Sequence, residues 1–206
     1  MRTIKKVASH IFIDGFGGMT QGLFATLIIG TMIQQIGLLI GGSTGNVIYL
    51  LGKAAAALTS AGIGVGVAVK YGESPLVTVS AAVAAMVGGY AGKITGGTFF
   101  VDGNAVLSGP GEPLGAFIAA FAGITCGHLV SGKTKVDIIV TPVITIGAGS
   151  VVGLLVGPPI SQMMTGLGSI INWATEQRPF IMGIVVSVVM GMVLTLPISS
   201  AALGII

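Results

Sequence analysis

Six acidic residues and two histidines are the whole stock of acid–base groups with pKa values near neutrality in this 206-residue chain. Glu112 stands out among them. It lies between Gly111 and Pro113 in the stretch Ser108-Gly-Pro-Gly-Glu-Pro113, immediately before an apolar run. A charge held at membrane depth costs a few kcal/mol, so such a residue tends to face a cavity and a polar ligand. A carboxylate accepts hydroxyl hydrogen bonds that are stronger than neutral ones, which is chemistry for holding a hydroxyl-rich molecule. Two roles fit the position: ligand binding, or an outer-loop acid that caps the following helix. Asp102 and Asn104 belong to the same loop, as companions in binding or as an Asp-Gly-Asn turn. His128, near the end of the next apolar run, fits a hydrogen bond to ligand, to a carboxylate, or to neighbouring helices. Lys53 can snorkel to an interface, Asp14 suits a helix cap, and Gln34 and Gln35 suit interhelical hydrogen bonds. The single Cys126 suits packing. No nucleophile–base pair and no spaced Cys/His set is present, so the sequence gives no catalytic residue, no metal site and no cofactor site.

The elements that must position these residues are membrane helices. The chain is 53% hydrophobic and only 7% charged, against about 25% charged in soluble domains, and its mean hydropathy is +1.02. So few charges cannot build a water-facing surface, and lipid must cover the outside. The nine Lys and Arg residues, for a net charge of +3, are scattered over loops; nucleic acid is not indicated. The 35 glycines allow helix backbones to approach closely and permit irregular backbone where it lines a cavity.

Read along the chain, residues 1–14 form a basic amphipathic helix suited to a lipid surface, with Ile4, Val7, Ala8 and Ile11 on one face. Apolar spans are expected at about 17–40, 47–69, 76–92, 114–130, 138–156 and from 180 onward, each near the roughly 20 residues of a bilayer crossing. Gly41 to Asn46 reads as a tight hairpin, and 93–113 as a re-entrant loop. After Pro158-Pro159, the apolar positions Ile160, Met163, Met164, Leu167, Ile170 and Ile171 alternate at helical period with a polar face of Ser161, Gln162, Thr165, Ser169 and Asn172. This pattern predicts an interfacial amphipathic helix over 158–178. With the N-terminus cytoplasmic, the inner side collects Arg2, Lys5, Lys6, Lys70, Lys133 and Lys135, as the positive-inside rule requires.

Gly22-Leu-Phe-Ala-Thr26-Leu-Ile-Ile-Gly30 parallels Gly183-Ile-Val-Val-Ser187-Val-Val-Met-Gly191. The first of these spans leads outward and the sixth inward, the plan of an inverted-topology repeat. The expected fold class is therefore an all-α polytopic membrane protein of about six transmembrane helices, with an inverted-repeat transporter plan. Residues 15–157 form the first, five-span repeat, and 179–206 begin a second that the chain breaks off.

Three segments carry a family resemblance: Asp14-Gly-Phe-Gly-Gly-Met-Thr-Gln-Gly-Leu-Phe-Ala-Thr-Leu-Ile-Ile-Gly30, Gly109-Pro-Gly-Glu-Pro-Leu-Gly115 and Thr195-Leu-Pro-Ile-Ser-Ser200. Together they resemble the enzyme IIC permeases of the bacterial phosphotransferase system, in the compact branch that includes PfoR-type membrane regulators. The resemblance implies a bacterial inner-membrane sugar permease working by alternating access, built as a ten-span inverted-repeat dimer. In it a glutamate beside a re-entrant hairpin holds sugar hydroxyls, and roughly the second half is absent here. No phosphorylatable cysteine or histidine domain accompanies the chain, so soluble phosphotransferase components would come from other chains. A membrane-embedded regulator that keeps the permease fold without transport is the alternative.

Overall fold

The computed structural model describes residues 14–101, 103–107, 109–175, 182–184, 186–188 and 191. The expected helix at the N-terminus, Asp102 and nearly all of the sixth run lie outside these residues.

The first apolar run folds as Phe16–Leu23 (α1), a π-helical turn at Phe24–Ile28, and Ile29–Ile40 (α2). Together they make one span of 25 residues. Within the π turn the Thr26 hydroxyl donates back to the Gly22 carbonyl at 2.7 Å, a local bond that competes with the helical ladder. Gly41 and Gly42 follow at φ of +66° and +64°, a left-handed pair that reverses the chain without Cβ strain. The chain then returns as Gly42–Ala57 (α3) and Thr59–Lys70 (α4), bent by 53° at their junction. Pro75–Gly89 (α5) starts on a Ser74 cap that accepts from the Val77 N–H, with Pro75 at its first position, the arrangement that satisfies an orphan donor and presets φ. Ala91–Thr95 (α6) continues it after a break at Tyr90. A two-stranded hairpin, Phe100–Val101 (β1) and Asn104–Ala105 (β2), pairs Phe100 with Ala105 and Val101 with Asn104. Pro113–Val130 (α7) and Asp137–Thr175 (α8) complete the bundle.

Glycine sets the packing. Gly18 and Gly22 on α1 face Gly62 and Gly66 on α4, two small-xxx-small pairs in contact. A Cβ on Gly18 would lie 2.6 Å from the Gly66 carbonyl oxygen. Gly88 on α5 meets Gly115 and Ala119 on α7, and Gly149 on α8 meets Ala84 and Ala119. Backbones this close gain dispersion contacts where water is not there to drive side chains together. Around the seams sits a core of Met19, Leu23, Leu27, Ile63, Val67, Val77, Phe117 and Ile124. The outer surface is as apolar as the inner one: Leu39 is 86% exposed, and Ile138 and Leu155 are each 72% exposed. Lipid is the solvent that suits such a surface.

The described residues form a helical membrane bundle with fewer uninterrupted spans than the six expected. Three helices are long and apolar enough to cross, 16–40, 113–130 and 137–170, and the bent α3–α4 pair makes a fourth if it counts as one span. The expected second span is broken after Ala57, and the expected third is only 15 residues before its break at Tyr90. The predicted fifth span and amphipathic helix are one continuous helix of 39 residues, with Pro142, Pro158 and Pro159 inside it. Proline removes a donor, but packed neighbours in membrane bundles tolerate the loss. Here Gly157 lies against Ala91 just before the proline pair.

Candidate functional site

The breaks at Leu58 and Tyr90 are brought together, and the Gly109–Pro113 loop is wedged against both. The Tyr90 hydroxyl reaches the Gly109 carbonyl at 2.5 Å and the Ala57 carbonyl, left free by the α3–α4 break, at 3.2 Å. Its single hydrogen serves the shorter contact best. The Ser60 hydroxyl donates to the Pro110 carbonyl at 3.0 Å, and the Glu112 N–H donates to the Gly89 carbonyl at 2.7 Å. Gly111 closes the loop at φ +74°, where a Cβ would meet the Ser60 hydroxyl at 2.5 Å. Pro113 then opens α7. Each residue of this short motif therefore has a structural role, and together they hold the Glu112 backbone in place.

Glu112 is half-buried at the start of α7, and its side chain makes no capping hydrogen bond to that helix. Of the two roles the sequence leaves open, capping is the one its geometry lacks. Burial pushes its carboxyl from an ordinary value near 4.5 up to about 7, with Lys93 nearby pulling the other way. Near neutral pH such a group exchanges between a carboxylate that accepts hydrogen bonds and an acid that also donates one. Lys93 itself stands over the Tyr90 ring, 5.5 Å from its centroid, a favourable cation–π placement.

Asn104 lies in β2, in the same connection. The hairpin base is fastened to Tyr90 through Phe99, whose ring centroid is 5.4 Å from that of Tyr90, and through the Val106 N–H to Phe99 carbonyl bond of 2.8 Å. His128 is elsewhere. It sits at the other end of α7, roughly 24 Å along the axis at 1.5 Å per residue. There its Nδ1 is 3.0 Å from a Glu73 carboxylate oxygen. At that end the Ser74 and Ser131 hydroxyls are 3.0 Å apart, and Asp137 accepts from the Gly132 N–H and the Thr141 hydroxyl. The structure thus brings Glu112 and Lys93 together, leaves Asn104 in the exposed hairpin of the same connection, and places His128 at the other end of α7. Tyr90 and Ser60 are the residues that sequence reasoning missed. The one available signal was a tyrosine directly after a Gly-Gly pair at the end of an apolar run.

A family profile described as the phosphotransferase system EIIC matches residues 13–206, nearly the whole chain. The chain belongs to that family. Neither a curated protein nor a solved structure matches it. Membership in the EIIC family supports a sugar-permease role at family level and interaction with other phosphotransferase components. In this EIIC chain the wedged Gly109–Pro113 loop holds Glu112 at the start of α7.

Proposed function

We propose that this EIIC chain carries sugar across the bacterial inner membrane by alternating access, with Glu112 as the residue that holds sugar hydroxyls. The observation that carries the reading is a half-buried glutamate with no capping duty, on a loop whose backbone is held by Tyr90, Ser60 and Gly89 where two helices break. Broken helices at the binding site are a recurrent transporter device, because freed backbone groups and one movable segment meet there. Phosphorylation is left to separate soluble components. Lys70 at the end of α4 and Lys133 and Lys135 in the connection after α7 fall at the Glu73–His128 end, away from Lys93, which supports that end as cytoplasmic. An inverted-repeat dimer, with residues 15–157 as the first repeat, completes the proposal, and Asp102 and Asn104 are proposed as companions of Glu112 in the loop.

The test is the melting temperature of the purified chain in detergent across a panel of hexoses, hexitols and disaccharides. A ligand that binds only the native state must stabilise it. One sugar class should raise the melting temperature, and Glu112→Gln should lose the effect. A flat panel would sink the permease reading and leave the membrane-embedded regulator.

A further inference from the structure

Beside the Glu112 loop, α6 and α8 enclose an open recess of about 490 Å³ lined by Gly92, Thr95, Gly96, Pro158, Ser161, Gln162 and Thr165. Its size lies in the range of small-molecule sites. Ser161, Gln162 and Thr165 come from a helix whose segment 137–170 is otherwise apolar enough to span a bilayer. A polar group inside such a segment is costly unless something hydrogen-bonds to it. Thr95 and Thr165 use their hydroxyl hydrogens on their own helices, at 2.9 Å to Ala91 and to Ser161, which leaves each oxygen able to accept. The Ser161 hydroxyl and the Gln162 amide hydrogen-bond to no other group among the described residues. Gly92 keeps the facing wall thin, since a Cβ there would come within 2.7 Å of the Ser161 hydroxyl. Among the described residues no charged side chain lines the recess, so the lining offers a phosphate or carboxylate no counter-ion. Donors and acceptors without charge match a neutral polyol. The recess is also close to the loop: Gly92 lies three residues beyond Gly89, whose carbonyl holds the Glu112 N–H.

We infer that this recess is a binding site for an uncharged, hydroxyl-rich ligand, the stretch of the sugar path adjoining Glu112, with Gln162, Ser161 and Thr95 as its contacts. The inference rests on the permease reading and adds a wall that the Glu112 loop does not supply.

The experiment measures Kd for glucose, mannitol and maltose with the full chain in detergent, comparing Gln162→Leu and Thr95→Val, one from each wall, with Glu112→Gln. Each wall variant should weaken binding about tenfold, or about 1.4 kcal/mol, while its ligand-free melting temperature stays unchanged. If both wall variants bind as tightly as the parent and only Glu112→Gln loses sugar, the recess is overturned and the permease reading stands. If the parent binds none of the three, both readings fall. Binding of a neutral glycolipid through Gln162, with no free sugar bound, would likewise remove the recess from the sugar path.

Discussion

The Tyr90 hydroxyl donates to the carbonyl oxygen of Gly109 at 2.5 Å, so a side chain at one helix break fixes the loop that presents Glu112. Tyr90 is 1% exposed, and losing its hydroxyl leaves the Gly109 carbonyl without this part-buried bond. Leaving such a group unsatisfied costs about 1–3 kcal/mol. Tyr90→Phe should therefore lower the melting temperature in detergent. It should also weaken sugar-dependent stabilisation, because the loop loses its anchor while the ring is kept. An unchanged response to sugar would show that the loop holds its place without this bond.

Gly111 carries two demands at once, a φ of +74° and a Cβ position blocked by Ser60. Gly97, at φ +70°, has open space around it. A left-handed backbone costs an L-residue about 1–2 kcal/mol. Gly97→Ala should show that cost alone, and Gly111→Ala clearly more, read as melting temperatures of the two variants. Equal losses would mean that Ser60 yields freely.

Glu112 gives a pH dependence with a definite sign. Its carboxyl, in the connection ahead of α7, is raised from near 4.5 to about 7. The folded state therefore binds the proton more tightly than the unfolded one. The associated stability is complete below about pH 4.5 and is lost as pH rises to about 7. The melting-temperature difference between Glu112→Gln and the parent should grow across that window and level off above it. Sugar hydroxyls donate best to the ionised carboxylate, so sugar affinity should rise as pH passes through about 7. The Gln variant should show neither trend, and a parallel slope in it would assign the titration to another group.

The pair at the opposite end should behave differently. His128 is 70% exposed and Glu73 only 8%, and a pair open to solvent on one side contributes roughly 0–1 kcal/mol. His128→Ala should shift the melting temperature little and leave the response to sugar intact. Loss of sugar binding in this variant would bring His128 back into the ligand site.

The membrane class was legible because it depends on composition, and Glu112 drew notice as a lone acid between Gly and Pro ahead of an apolar run. What sequence could not give depends on partners distant in the chain. Nothing in Ala54-Ala-Ala-Ala-Leu-Thr-Ser60 marks a helix end, and the break there is matched by a tyrosine more than thirty residues later whose hydroxyl meets the Ala57 carbonyl. Pro158-Pro159 misled in the other direction. A proline pair is a strong local stop signal, yet α8 runs through it. The period of the following apolar residues was read correctly as a helix face. On its polar side Ser161, Gln162 and Thr165 line the recess against α6, a neighbour the local sequence does not reveal.

The 39 residues of α8 make a rod of roughly 58 Å at 1.5 Å per residue, about twice the thickness of a bilayer's hydrocarbon core. One of its close bearings is at Gly149, pressed against Ala84 and Ala119. From that fulcrum the arm to Thr175 is roughly 40 Å, so a tilt of about 10° would carry the far end through about 7 Å while the end near Asp137 swings the opposite way by less than half as much. A small displacement at one membrane face is thus geared up at the other.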